Sequence, residues 1–195
     1  PICVSQKLVD FLPTHPVVSV GGAKGNTMAA APYGSAYLLP ITYGYLLMLG
    51  GEGLTDVTKH ALLNANYLRA RLQKYYKILY TNRNGMCGHE MTVDFNEFSL
   101  TVSVGDIAKR LRDYGFHAPT VAFPVHNTLM VEPTESEPLA ELDRFCDAMI
   151  AIRQEIDDIM TGKVDEHNNP ICNAPHTMQV VCADEWNLPY SRQKA

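Results

Sequence analysis

The spacing of hydrophobic residues changes near the middle of the chain from a helical pattern to a strand-like one. Across residues 54–74, apolar side chains recur every three or four positions, which predicts one long amphipathic helix. Residues 77–80 and 89–95 are short, and in the second of these apolar and polar positions alternate. Together with the apolar run Leu129, Met130, Val131, they predict three strands.

Two further helices have recognisable starting signals. Ser103 precedes a periodic segment and is followed three residues later by Asp106, an arrangement close to a capping box. Residues 138–160 carry an apolar stripe that begins at a proline, which is favoured in a first helical turn, and we expect Ser136 to cap this helix.

The predicted order of elements is α-β-β-α-β-α, which is typical of an α/β domain built as a two-layer α+β sandwich. From residue 163 the chain is polar and rich in prolines, so we expect an extended tail there. Trp186 and Tyr190 are the side chains expected to anchor that tail to the domain surface.

A different kind of helix is predicted upstream, over residues 36–49. It is apolar on almost every side, so we expect it to be buried against further protein or another subunit. The glycines of residues 50–53 are expected to break the chain after it. We therefore divide the chain into residues 1–53 and a small α/β domain with its tail, residues 54–195.

Polar residues flank the last predicted strand. Gly115 ends a helix and Pro119 excludes another, so His117 lies in a loop, and Glu132 directly follows the strand. We expect the two side chains to lie at the two ends of one loop-and-strand unit, where a ligand is commonly bound. On residue type alone, a histidine that only bonds to loop backbone is the commoner case.

Composition narrows the possible functions. The chain has 195 residues, 46% hydrophobic, with a net charge of −5, which indicates a globular protein and argues against nucleic acid or an anionic membrane as partner. The five cysteines form no C-x-x-C pair and the seven histidines show no ligand spacing, so neither a disulfide framework nor a metal site is predicted. No apolar run reaches the length of a membrane span.

Seven separate segments resemble one enzyme family, the glycine cleavage system P-protein, which is the pyridoxal-phosphate-dependent glycine decarboxylase. The resemblance extends over nearly the whole chain. The segments that carry it are 30–35 (AAPYGS), 63–67 (LNANY), 106–111 with 114–120 (DIAKRL and YGFHAPT), 128–137 (TLMVEPTESE), 142–145 (LDRF), 173–176 (NAPH) and 189–192 (PYSR).

This resemblance implies the C-terminal small domain of a fold type I pyridoxal-phosphate enzyme, preceded by a residual piece of its large domain. The family decarboxylates glycine and passes the aminomethyl group to the lipoyl arm of the H-protein. Its members act as homodimers or heteromers. Localisation would be the mitochondrial matrix in a eukaryote and the cytoplasm in a bacterium.

The same resemblance implies roles for named residues. His117 and Thr120 would face the active-site cleft, where they act as an acid/base or hydrogen-bonding pair. Glu132 and Thr134 would support that loop. The cofactor phosphate would lie near the turn formed by Pro32, Tyr33, Gly34 and Ser35, although helix capping and tight packing explain these residues equally well. Arg144 is more simply a surface salt-bridging residue than a clamp for a substrate carboxylate.

One departure from the family pattern is important. None of the eight lysines (residues 7, 24, 59, 74, 77, 109, 163 and 194) lies in the family's Schiff-base motif, which in the family comes before the region matched here. We therefore expect a C-terminal fragment that does not bind pyridoxal phosphate or decarboxylate glycine by itself. The alternative is a stand-alone α/β binding or assembly module, which has no evident need for the apolar helix at residues 36–49.

Overall fold

The computed structural model describes residues 3–28, 30–31 and 34–195. The chain forms two compact units, Pro1–Leu54 and Thr55–Ala195. The assignment of residues 1–53 to a large domain and of residues 54–195 to a small domain stays a prediction.

The first unit contains a 3-10 helix, Gln6–Phe11, and a second short one, Ala36–Leu38. Ser35 precedes the second, but its side chain makes no capping hydrogen bond, so helix capping does not explain this residue. Its φ of −89° and ψ of 75° depart from the extended conformation from which a cap residue reaches the first turn. The α-helix begins three residues later than predicted.

That helix, α1, spans Leu39–Leu72 and is interrupted at Gly50, which has a φ of 61° and a ψ of −173°. A left-handed φ is a conformation that glycine adopts without steric cost. The break predicted at residues 50–53 is therefore confirmed at its first position. Beyond it, α1 buries Ala65, Leu68 and Leu72.

The second unit is built on a four-stranded antiparallel sheet. Its strands are β1 (Lys77–Leu79), β2 (Met91–Asp94), β3 (Thr120–Val121) and β4 (Thr128–Val131), in the order β1-β2-β4-β3. The strand β3 was expected to be loop. This strand has only two residues and is defined by its pairing with β4. Its local sequence therefore gives no pattern from which a strand could be predicted.

Three helices complete the unit: α2 (Val104–Asp113), α3 (Leu139–Met160) and α4 (Met178–Val181). The predicted cap of α2 is confirmed, because the Ser103 hydroxyl accepts from the Asp106 amide at 3.0 Å. The predicted cap of α3 is wrong. Pro138 occupies the cap position, and the Ser136 hydroxyl bonds to that of Thr134 at 2.8 Å instead. The mixed helix and antiparallel sheet confirm the α+β class.

The two faces of the sheet differ. Met91, Val93 and Leu129 are fully buried in one core with residues of α1, α2 and α3. Thr92 and Asp94 point to the opposite face, yet they are only 5% and 7% exposed. Part of the reason is the loop of residues 122–127, to which the Thr128 hydroxyl donates hydrogen bonds at the carbonyls of residues 123 and 125.

The tail is held by a buried polar network. The Asp113 carboxylate accepts from both the backbone amide and the Nδ1 of His176 at 2.7 Å, and His176 Nε2 lies 2.8 Å from the Tyr190 hydroxyl. In this network, the residue that joins the tail to α2 is thus His176, and Tyr190 contributes only through its contact with His176. Trp186 donates to the Tyr190 carbonyl and stacks edge-on against its ring, so it acts within the tail.

Candidate active-site cleft

A cleft of about 370 Å³ lies where β4 ends, β3 begins and α3 starts. It brings His117, Thr120 and Glu132 together, and their proposed roles stay a prediction. Its floor is apolar and its rim carries two further carboxylates. The floor consists of Leu68, Phe116, Leu142 and Phe145, and the rim carboxylates are Glu137 and Glu141.

The loop that carries His117 is fixed on its N-terminal side. Gly115 has a φ of 78° and so ends α2 as expected. The ring of Phe116 packs edge-on against Phe145, with centroids 5.2 Å apart. The guanidinium of Arg144 lies over the ring of Phe116, 3.8 Å from its centroid. The same guanidinium donates a hydrogen bond to the carbonyl of residue 114 at 2.6 Å.

The His117 side chain is exposed and makes no hydrogen bond to the part of the chain that the structure describes. The simpler reading, a histidine bonded to loop backbone, therefore does not fit. Thr120 is also exposed and lies opposite Met130 on β4. Both side chains are accessible to a molecule in the cleft.

Glu132 and Thr134 have different positions. Glu132 is exposed at the end of β4 and its Oε1 lies 3.9 Å from the Nε2 of His89. Thr134 does not line the cleft. It has a left-handed φ of 56°, and its carbonyl accepts from the Asn64 side chain at 3.0 Å. Thr134 thus shapes the loop after Glu132 through its backbone.

Three residues near this cleft were missed by the sequence prediction: His89, Asn64 and Asn66. Asn66 is buried, donates to the carbonyl of Cys87 at 2.9 Å and accepts from its amide at 3.0 Å. Two asparagines in the motif of residues 63–67 thus hold the loops at one end of the sheet. Two signals were available for the asparagines, their place in this resemblance segment and their occurrence on a largely apolar helix.

The proposed phosphate-binding turn lies in the other unit. Pro32 and Tyr33 are outside the described residues. Gly34 has a left-handed φ of 72°, and Ser35 is exposed. Their cofactor role stays a prediction.

Arg144 is engaged as a surface salt bridge. Its Nε donates to Glu141 Oε2 at 2.8 Å and its Nη2 donates to Oε1 at 2.5 Å. These hydrogen bonds lower the pKa of the Glu141 carboxyl. With its guanidinium committed to Glu141, Phe116 and a backbone carbonyl, Arg144 fits the salt-bridging interpretation better than that of a substrate clamp.

Pyridoxal phosphate is held in its enzymes through a bond between its aldehyde and a lysine amine. None of the described residues that line the cleft is a lysine. The residues present therefore do not fit covalent attachment of this cofactor.

The described residues contain neither a metal site nor a membrane-spanning helix. No three histidine, cysteine or carboxylate side chains among them converge in a way that would hold a metal ion. None of their helices combines the length and hydropathy needed to cross a bilayer.

Comparisons with known proteins agree with this picture. The family described as "Glycine dehydrogenase, C-terminal domain" matches residues 57–176. The whole chain is 56% identical to part of the glycine dehydrogenase (decarboxylating) of Flavobacterium johnsoniae and covers 20% of that protein. For the enzymes of Christiangramia forsetii and Dictyostelium discoideum, the latter named as mitochondrial, identity is 53% and coverage again 20%.

The chain thus spans about a fifth of the length of these relatives. The family match covers five of the seven segments on which the sequence resemblance was based, those between residues 63 and 176. It also includes every residue that lines the cleft. The chain belongs to the glycine dehydrogenase C-terminal domain family.

Proposed function

We propose that this chain forms the C-terminal part of a glycine dehydrogenase (decarboxylating), in which it builds one wall of the active site. The complete enzyme decarboxylates glycine and passes the aminomethyl group to the lipoyl arm of an H-protein. Support comes from relatives of that name that match over the full length of the chain.

Within this role, His117 and Thr120 are the residues proposed to face the reacting groups. The observation that carries this proposal is their presence in one cleft, where the imidazole of His117 has no hydrogen bond to the described protein. An imidazole in that state is available to accept or donate a proton, and a threonine hydroxyl is available to orient a polar substrate group. Glu132 lines the same cleft and is proposed to support this arrangement.

Pyridoxal phosphate, when bound in the complete enzyme, supplies the electron sink for loss of the carboxylate. The cleft contains no lysine among the described residues, so the amine that holds the cofactor comes from another part of the enzyme. We propose that this chain alone is inactive. Its own contribution is to orient the substrate and to position a proton-transfer group at His117.

The assembly and location of the enzyme also belong to this proposal. It would act as a homodimer or heteromer. A eukaryotic source would place it in the mitochondrial matrix, in line with the name of the Dictyostelium relative. A bacterial source would place it in the cytoplasm.

The test replaces the matched region of the Flavobacterium johnsoniae enzyme, which is 56% identical, with this chain. The assay is exchange of labelled bicarbonate into the carboxyl group of glycine in the presence of lipoyl H-protein. We expect the chimera to be active. His117→Asn and Thr120→Val should each lower kcat, about 100-fold for the histidine if it transfers a proton, whereas His60→Asn, an exposed histidine on α1, should have no effect.

The outcomes separate the parts of the proposal. A folded but inactive chimera would contradict the family role. An active chimera that is insensitive to His117→Asn would remove His117 from the mechanism. Exchange by this chain without any other part of the enzyme would refute its proposed inactivity, and it would equally contradict the alternative of a binding or assembly module without catalysis.

A further inference from the structure

A second cleft, of about 500 Å³, lies on the face of the sheet opposite the core. Leu79 and Thr92 are register partners on β1 and β2, and both line it. Tyr80, His89, Glu90 and Pro124 form the surrounding wall. The proposed reaction does not use this cleft.

At the bottom of the cleft lies a polar group with no partner. Thr92 is only 5% exposed, and its hydroxyl makes no hydrogen bond within the described part of the protein. No fully enclosed side-chain nitrogen or oxygen among the described residues is unsatisfied, so this hydroxyl must reach the cleft surface. A nearly buried hydroxyl without a partner favours a ligand that supplies one.

The charge of the cleft determines which ligand fits. His89 Nε2 lies 4.0 Å from Glu90 Oε2 and 3.9 Å from Glu132 Oε1. Two carboxylates therefore share one imidazole. Glu90 lines this cleft, and Glu132 lines the first cleft but lies beside His89. Whether His89 is neutral or protonated, the sum of the three charges is negative, and this favours a cation over an anion.

The walls determine the shape of that cation. Leu79 and Pro124 are apolar, and the ring of Tyr80, a residue that is 64% exposed, offers an aromatic surface that attracts cations. A slender aliphatic stem fits against such walls, and a group with several N–H donors can bond to both a carboxylate and a hydroxyl.

We propose that this cleft binds a primary ammonium group carried on an unbranched aliphatic stem. Glu90 is the counter-charge, and the Thr92 hydroxyl accepts one N–H. A free alkylamine and a lysine side chain of a protein present the same chemistry, so the two sources are distinguished by experiment.

The experiment is a titration of the ¹⁵N-labelled 195-residue chain with n-butylammonium chloride at constant ionic strength, followed by amide NMR. We expect saturable shifts at Tyr80, His89 and Thr92. Thr92→Val, which is nearly isosteric, should weaken binding about fivefold, and Glu90→Gln about tenfold. Glu97→Gln, at an exposed site outside the cleft, should bind like the wild type.

Shifts that stay linear with concentration, or that sodium butyrate reproduces, would overturn the proposal. An unchanged affinity in Glu90→Gln would also overturn the proposal. This variant keeps the test valid if Thr92→Val fails to fold. The peptide acetyl-Gly-Lys-Gly-amide distinguishes the sources, because tighter binding than butylammonium indicates a protein lysine and weaker binding a free amine. Equal binding of its Nε-acetylated form would refute recognition of the ammonium.

Discussion

The buried ion-pair network at Arg110 allows the sharpest test of the fold. Arg110 donates to Glu155 through two nitrogens, at 3.0 and 2.8 Å, and to Asp113 at 2.9 Å. It also donates to the backbone carbonyls of Lys194 and Ala195, at 2.6 and 2.9 Å. The substitution Arg110→Met removes all of these bonds while keeping most of the apolar stem.

The expected cost follows from what the substitution leaves behind. The side chains of Glu155 and Asp113 are 7% and 4% exposed, so two carboxylates lose their cation away from water. Breaking a buried pair in this way costs about 3–5 kcal/mol of unfolding free energy. For a protein of this size that corresponds to a fall in Tm of about 6–20 °C.

The measurement is urea unfolding, followed by circular dichroism, with Lys109→Met as the matched control. Lys109 is the preceding residue on α2 and pairs with Asp106 at 3.0 Å, but its side chain is 50% exposed, so we expect a change within about 0.5 kcal/mol.

The double variant Arg110→Met/Glu155→Met tests the cause of the loss. Its loss of unfolding free energy should be about 2 kcal/mol smaller than the sum of the losses in the two single variants. The reason is that neither the Arg110 nor the Glu155 charge is then left buried without the other. If Arg110→Met costs no more than Lys109→Met, the network does not stabilise the fold as argued.

Three further predictions concern other buried groups. Asn66→Ala should lower the unfolding free energy by about 2–4 kcal/mol, because both backbone groups of Cys87 lose their partner. A loss below about 1 kcal/mol, measured by urea unfolding, would contradict this. Burial raises the pKa of Cys146 to about 11, so at pH 8 a disulfide reagent should modify exposed Cys182 and spare Cys146 until the protein unfolds. Burial opposes ionisation of Asp94, but hydrogen bonds from Asn96 and Lys77 lower its pKa overall. Its stabilisation is therefore complete above the unfolded pKa, near 3.9, and lost as pH falls through the lower folded value. Asp94→Asn should thus be less stable than wild type at pH 6, with the difference shrinking below pH 4.

The helices α1, α2 and α3 and three of the strands were predictable because their signals are local, whereas α4 lies in the segment expected to be an extended tail. The stripe at residues 138–160 matches α3, Leu139–Met160, within one residue. The strand β3 was not predictable, since its two residues are ordered by pairing with β4.

The site was predictable where local rules constrain the backbone. Gly115 and Pro119 place His117 in a loop whatever the rest of the fold does, and the apolar run of β4 places Glu132 at a strand end. His89 was missed because its relation to Glu132 depends on the pairing of β2 with β4. In that pairing Met91 lies opposite Val131, so the residues before β2 and after β4 meet at one end of the sheet.

This pairing also explains why α1 carries two asparagines. Residues two apart on a helix point in different directions, so Asn64 and Asn66 reach different loops. Asn64 holds the loop after β4 through the carbonyl of Thr134, and Asn66 holds the turn before β2 through Cys87. The helix α1 therefore sets the distance between Glu132 and His89, which lie at the boundary between the two clefts. It does so although it contributes no charged residue to the lining of either cleft. Asn64→Ala should accordingly shift the amide resonances of His89 and Glu132 while leaving those of α2 unchanged. If neither residue's resonances shift, the two loops keep their geometry without the Asn64 hydrogen bond, and α1 contributes only packing contacts to them.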